Sequence, residues 1–293
     1  MRGSRYARKT QPLVKKTLLT FLFLVSNASE AKQIQQSTFS YWDKPDIEIF
    51  YSIPSAITPK TKILFIMHGA SRSGASFIKN WLPLVEGRDV VLIAPQFSKE
   101  FYKEYVYLMK TNNKGKPVTD KSLDISDSLG LIFDFYKSKL NLKTNTFRVY
   151  GHSGGSQFVH RYLLLSDETR IEKAAMANAG FYTFVDPSIS FPFGIKGMNV
   201  SDARLEWVLR LKGAILLGDQ DIDPKDHFLP SMRKARKQGK HRFERGTNFF
   251  NNLINLGVKK NMPFRWRYEV VPNVAHDNAG MSMAAAEFLL EDL

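Results

Sequence analysis

Phe147-Arg148-Val149-Tyr150-Gly151-His152-Ser153-Gly154-Gly155-Ser156-Gln157-Phe158-Val159-His160-Arg161-Tyr162-Leu163 reads as a strand, a glycine-rich turn and a helix in direct succession. The first four residues lead in as a buried strand. Those from Gln157 onward are apolar on more than one side, as in a helix packed on a sheet. Between them, Gly151-His152-Ser153-Gly154-Gly155 has the Gly-x-Ser-x-Gly form of a sharp strand-to-helix turn that carries a serine at its apex. Flanking glycines let such a turn pack without a Cβ clash. A hydroxyl is a weak nucleophile and has to be presented with a base beside it. Ser153 is therefore the candidate nucleophile; the alternative is a glycine-rich turn of purely structural use.

Outward from this turn, short apolar runs alternate with helical patterns from about residue 45. Candidate strands lie at 47–53, 62–67, 90–94, 147–150, 174–177, 214–217 and 268–271. Ile63-Leu64-Phe65-Ile66-Met67 and Val90-Val91-Leu92-Ile93 are unbroken apolar runs, the signature of strands buried on both faces. Helical periodicity is present over 122–140, 156–165, 249–256 and 281–290. This alternation predicts an α/β fold: a doubly wound, mostly parallel sheet flanked by helices. The chain has 293 residues, no internal repeat and no Pro/Ser-rich linker, so residues 32–293 are expected to form a single domain. Two aromatic stretches, 97–121 and 181–200, each follow a predicted strand. They either overhang the carboxyl edge of the sheet, where such folds bind ligands, or anchor loops to the core.

A serine nucleophile needs donors for the developing oxyanion, a base and an orienting acid. The residue after the nucleophile, Gly154, supplies one candidate N–H. The buried strand ending in His68-Gly69-Ala70 supplies the second, from Ala70. His68 is expected to shape that loop, not to exchange protons. Chain order in this kind of fold is serine, acid, histidine. The last of the six histidines, His276, follows a strand and a loop and precedes a C-terminal helix, so it is the candidate base. His152 is expected to point away from the serine, and His160, His227 and His241 to serve packing or surface roles. Leu216-Leu217-Gly218-Asp219-Gln220-Asp221-Ile222-Asp223 ends a strand in three carboxylates. Asp221 has the usual Gly-x-x-Asp spacing and is the candidate acid, with Asp219 and Asp223 as alternatives; Asp277 reads as a loop hydrogen-bond partner.

The N-terminus is set apart. Six basic residues and a short apolar run, 17–25, precede Ser26-x-Ala28 and Ser29-x-Ala31, a pattern that reads as a signal peptide over 1–31. An exported protein, periplasmic or secreted, with no stable membrane span after signal removal is the expectation. Cysteine is absent, which excludes disulfides, cysteine nucleophiles and thiolate metal sites. Formal charge is +14; six basic residues and Glu30 lie in 1–31, so +9 remains beyond it. The basic run 233–242 lacks interleaved aromatics, reads as a solvated helix end and does not predict nucleic-acid binding. Asp219, Asp221, Asp223 and Asp226 lack the glycine and glutamate of a calcium loop, so no metal and no cofactor is expected.

With these residues in place the chain resembles the α/β-hydrolase superfamily over roughly 45–290. More narrowly it is similar to bacterial poly(3-hydroxyalkanoate) depolymerases and feruloyl-esterase-like hydrolases. The resemblance is carried by His68-Gly69-Ala70-Ser71-Arg72, Gly151-His152-Ser153-Gly154-Gly155-Ser156-Gln157, Leu217-Gly218-Asp219-Gln220-Asp221 and Val274-Ala275-His276-Asp277. It implies hydrolysis of a small or polymeric carboxylic ester by Ser153, His276 and Asp221, with Ala70 and Gly154 holding the oxyanion. A peptidase or amidase on the same residues, and a non-catalytic binding protein on this scaffold, are the rival readings.

Overall fold

The computed structural model describes residues 33–293, so the signal peptide read over 1–31 lies outside the described residues. The first half of the described chain forms β1 (Gln35–Phe39), β2 (Ile47–Ser52), β3 (Lys62–Met67), α1 (Gly74–Trp81), β4 (Val90–Gln96) and α2 (Ser128–Lys139). It continues through β5 (Phe147–His152), α3 (Gly154–Leu165), β6 (Ile171–Ala177), α4 (Asp202–Arg210) and β7 (Lys212–Gly218). The last elements are α5 (Arg233–Arg236), α6 (Arg242–Lys260), β8 (Trp266–Val271) and α7 (Asn278–Leu289). Every strand expected from the apolar runs is present. The pattern did not disclose β1, whose Gln35 and Gln36 are exposed and whose Phe39 alone is fully buried. It also missed α1 and α4, whereas the short α5 lies in the basic run read as a helix end.

All eight strands form one sheet in the order β1-β2-β4-β3-β5-β6-β7-β8. The first two pairings, β1 with β2 and β2 with β4, are antiparallel, and the remaining ones are parallel. The alternation of side chains along each strand explains the apolar runs. Ile63, Phe65, Met67, Phe147 and Val149 face one core, with Phe133 of α2, Phe158 of α3, Val208 of α4 and Phe249 of α6. Leu64, Ile66, Leu92, Tyr150 and Ala175 face the other, with Trp81 of α1 and Phe288 of α7. A strand with both faces covered favours apolar side chains at successive positions and admits a polar one only where buried partners satisfy it.

Two buried cations under α7 join the layers. Arg148 on β5 donates from Nε to Glu172 at 2.6 Å and pairs with Asp292 at 2.8 Å. Lys173 on β6 donates to the Phe288 carbonyl at 3.2 Å and pairs with Asp292 at 2.9 Å. Both therefore sit at the carboxyl end of α7, where the helix dipole favours positive charge.

Trp81 is fully buried between α1 and the sheet, its ring 5.0 Å from that of Tyr150. Trp81→Ala should destabilise the fold by about 3–5 kcal/mol through lost burial and the cavity left behind. A urea titration reads this as a lower midpoint with an unchanged slope; a shift under about 1 kcal/mol would contradict this packing.

Candidate active site

The carboxyl ends of β3, β5, β7 and β8 bring the candidate residues together. Ser153 extends the β5 ladder by donating its backbone N–H to Ala177 at 2.9 Å, then turns abruptly into α3. Its φ is 56° and its ψ −116°, a conformation rare for a residue with a side chain and costing on the order of 1–3 kcal/mol. The surroundings impose it. A Cβ on Gly155 would lie 2.0 Å from the Met67 carbonyl oxygen, and one on Gly151 would lie 2.4 Å from the Gly155 backbone. Glycine at both positions lets the start of α3 press against the end of β3.

His276 lies in the loop between β8 and α7, and this loop is bonded to the one that follows β7. Asp219 donates its N–H to Val271 at 3.1 Å and Gln220 to Val274 at 3.0 Å. Asn178, at the end of β6, accepts from the Gly218 N–H at 3.0 Å and donates to the Ala275 carbonyl at 3.2 Å. The result is a continuous chain of side chains: His276 Nε2 is 3.0 Å from Ser153 Oγ, and His276 Nδ1 is 2.7 Å from Asp221 Oδ2. With a carboxylate as acceptor, Nδ1 carries the ring proton and Nε2 is free to accept the serine hydroxyl proton.

Asp221 is 4% exposed and makes a second bond, accepting from Arg242 Nη1 at 3.1 Å. Arg242 Nη2 donates to Asp226 at 2.8 Å. The alternatives take other parts: Asp223 accepts from the Lys225 N–H at 2.8 Å, and Asp219 makes no bond to His276. Asp277 caps α7, accepting from the Gly280 N–H at 2.6 Å.

Ala70 stands across from the turn. A Cβ on Gly154 would lie 3.2 Å from the Ala70 nitrogen, and both residues line the cavity beside Ser153. Neither N–H donates to a protein acceptor among the described residues. His68 holds this loop in place. Its Nδ1 donates to the Gly69 carbonyl at 3.0 Å and its Nε2 accepts from the Phe97 N–H at 3.0 Å. Complete burial, the dominant effect, lowers its pKa to about 3, so the ring is uncharged near neutral pH.

The remaining histidines separate cleanly. His160 is buried, bonded to the Ser156 carbonyl at 2.9 Å and to the Thr183 N–H at 3.0 Å. His241 caps α6 and His227 is exposed. His152 packs its ring 4.7 Å from that of His276. Burial first, then the neighbouring His276 and Arg242, hold its pKa well below the usual value. It backs the candidate base as an uncharged wall.

The cavity beside Ser153 has a volume of about 570 Å³ and is lined among others by Arg72, Lys99, Lys103, Tyr107, Phe181 and Phe228. The two aromatic stretches thus play both anticipated parts. Tyr107 and Phe181 form its wall, whereas Phe97 and Tyr105 stack inward, Tyr105 lying 4.9 Å from Phe158 of α3.

Sequence reading missed Arg242, Asn178 and the packing of His152 on His276. The basic run 233–242 is not uniformly solvated: Ala235, Gln238, Gly239 and Arg242 are buried. The period of α6 held the signal, because Arg242, Arg245, Gly246, Phe249 and Leu253 share its buried face. Among the described residues, no helix is long and apolar enough to cross a membrane.

No protein-family model matches the chain, and no curated protein does. Solved structures do. Poly(aspartic acid) hydrolase-1 from Sphingomonas sp. KT-1 is 30% identical with a TM-score of 0.82, covering 88% of this chain and 99% of its own. A poly(3-hydroxybutyrate) depolymerase from Bordetella parapertussis is 25% identical with a TM-score of 0.79, covering 89% of this chain and 91% of its own. An S-formylglutathione hydrolase from Agrobacterium tumefaciens shares the fold at 14% identity and a TM-score of 0.57, over 88% of this chain and 92% of its own.

Arg242 provides a stability test. The Asp226 carboxyl is held below its usual 3.8, chiefly by the hydrogen bond from Arg242. A depressed carboxylate stabilises the fold above its unfolded pKa, and that contribution is lost as pH falls through the folded value. Arg242→Met should therefore cost about 3 kcal/mol at neutral pH, with the deficit shrinking below about pH 4. Urea midpoints at pH 7 and pH 3 measure both; an equal deficit at the two values would contradict this pairing.

Proposed function

This chain belongs to the α/β-hydrolase superfamily, and on that premise we propose that it is a serine hydrolase that cleaves carboxylic esters through an acyl-enzyme. The hydrogen-bond chain from Ser153 through His276 to Asp221, 3.0 Å and 2.7 Å long in its two links, is the observation that carries this reading.

Ser153 Oγ attacks the ester carbonyl while His276 Nε2 takes its proton. Asp221 holds the imidazole in the tautomer with Nδ1 protonated and stabilises the imidazolium that forms. The N–H groups of Ala70 and Gly154 receive the oxyanion; one such donor is worth roughly 2.7–4 kcal/mol of barrier in enzymes where it has been removed. His276 returns the proton to the departing alkoxide. Water then attacks the acyl-enzyme with His276 again as base, and the carboxylic acid leaves. In this reading the Asp221–Arg242–Asp226 bonds keep the acid from rotating away from the histidine. Residues 1–31 act as an export signal, and 32–293 form the single catalytic domain, acting in the periplasm or outside the cell.

Amide cleavage on the same residues is the second reading, favoured by the 30% identity to a poly(aspartic acid) hydrolase. The similarity to that protein and to a polyester depolymerase supports a polymer as substrate in either case.

Labelling of the full chain with a fluorophosphonate probe, beside 4-nitrophenyl acetate and butyrate turnover, tests the assignment. Ser153→Ala should abolish labelling. Ser153→Ala and His276→Ala should each cut turnover by a factor of roughly 10⁴ or more, with thermal midpoints near that of the unmodified protein. A folded protein that neither labels nor turns over any ester would overturn it in favour of a binding role.

A further inference from the structure

Four cations surround the cavity beside Ser153, and among the described residues no carboxylate lines it. Three belong to the lining itself: Arg72, Lys99 and Lys103. Lys99 and Lys103 are exposed and neither forms a hydrogen-bonded ion pair with a carboxylate among the described residues. Arg72 spends its donors on backbone carbonyls, those of Phe97 and Tyr102 at 2.9 Å and Lys103 at 3.0 Å, and its guanidinium lies over the Tyr105 ring. Its charge is therefore solvated by dipoles and forms no ion pair among the described residues; the Glu104 carboxyl, outside the lining, offsets it only in part.

The fourth cation is the more telling. Arg161 of α3 is completely buried behind the cavity wall, its guanidinium 4.9 Å from the Tyr107 ring centre and 4.8 Å from that of Phe181. It donates to Thr183, to the Val106 carbonyl and to Gln157, all neutral. Its Nη2 has no hydrogen-bond partner. Burial lowers its pKa to about 10, so it remains charged at neutral pH. A buried cation without a counter-ion is costly to maintain, and its field is weakly screened on the side where protein, not water, separates it from the cavity. The nearby half-buried carboxyl, Glu104, is outside the lining, and burial raises its pKa against the opposing pull of Lys103 and Arg72.

Resting on the serine-hydrolase reading above, we propose that this cavity selects substrates that carry a carboxylate close to the scissile carbonyl, with Lys99 and Lys103 binding that carboxylate and Arg72 and Arg161 setting the positive potential of the pocket. An acidic polymer meets this requirement at every repeat; a neutral polyester does not. Such complementarity raises the rate of encounter and excludes uncharged competitors, and it weakens with salt.

The test compares 4-nitrophenyl monoesters of glutaric and adipic acid with their methyl-capped diesters on the full chain, subtracting spontaneous hydrolysis and labelling Ser153 with a fluorophosphonate in parallel. The carboxylate-bearing esters should show kcat/KM about tenfold or more above the capped ones. That ratio should collapse toward one in Lys99→Gln/Lys103→Gln, whose exposed side chains leave folding intact, and should decline in about 0.5 M salt. A ratio near or below one in a protein that labels at Ser153 overturns the carboxylate preference while leaving the serine hydrolase standing. Absence of both labelling and turnover overturns the hydrolase reading, and the preference falls with it.

Discussion

The approach of α3 to the end of β3 is the constraint on which the rest of the site depends. Gly155 lies so close to the Met67 carbonyl that any side chain there would occupy the same space. That contact drives the chain through a turn in which Ser153 takes a positive φ, and it sets the serine against the loop that continues from β3. Since Ala70 is three residues beyond Met67, one close packing contact places both the hydroxyl and the candidate oxyanion donors. His68 secures the far side of the same loop through two hydrogen bonds that use both ring nitrogens. Strain in the turn is offset by a core of strands covered on both faces, which leaves the backbone no easier path.

A second set of bonds fixes the base. Asn178 is shared between the ends of β7 and the histidine loop, and backbone bonds from Asp219 and Gln220 close the same gap. His276 is therefore held from three directions: by Asp221 through its Nδ1, by the ring of His152 against its face, and by its own loop. The proposed proton transfer asks for a ring that keeps its orientation, and rigid surroundings of this kind supply it.

Charge is distributed in this chain in a way that the net value of +14 conceals. Several cations are interior. Arg148 and Lys173 secure the end of α7, Arg242 spans two aspartates, and Arg245 ties Gly180 and Pro230 together through their carbonyls. Arginine suits such positions because its planar fork serves several acceptors at once. Arg161 differs from Arg148 and Arg242 in having no anion at all, and it lies directly behind the cavity. An excess of basic residues that looks like a surface property is, in part, a property of the core and the pocket.

The doubly wound sheet was legible in the amino-acid sequence, because strands covered on both faces are predominantly apolar, with unbroken runs at 63–67 and 90–93. The sequence by itself also offered the candidate nucleophile, donors and base, and three neighbouring aspartates for the acid, because Gly-x-Ser-x-Gly, His-Gly-Ala, a late histidine and a strand ending in Gly-Asp-Gln-Asp are local patterns tied to strand ends. Tertiary structure alone decided which of three neighbouring aspartates reaches His276, since Asp219, Asp221 and Asp223 differ only in the direction their loop turns them. It alone separated Arg242 from the solvated residues of its basic run, because burial follows from the face of α6 that meets the sheet. And it alone showed Arg161 behind Tyr107 and Phe181: the three lie at unrelated points along the chain, and only packing brings a buried charge to the wall of a pocket.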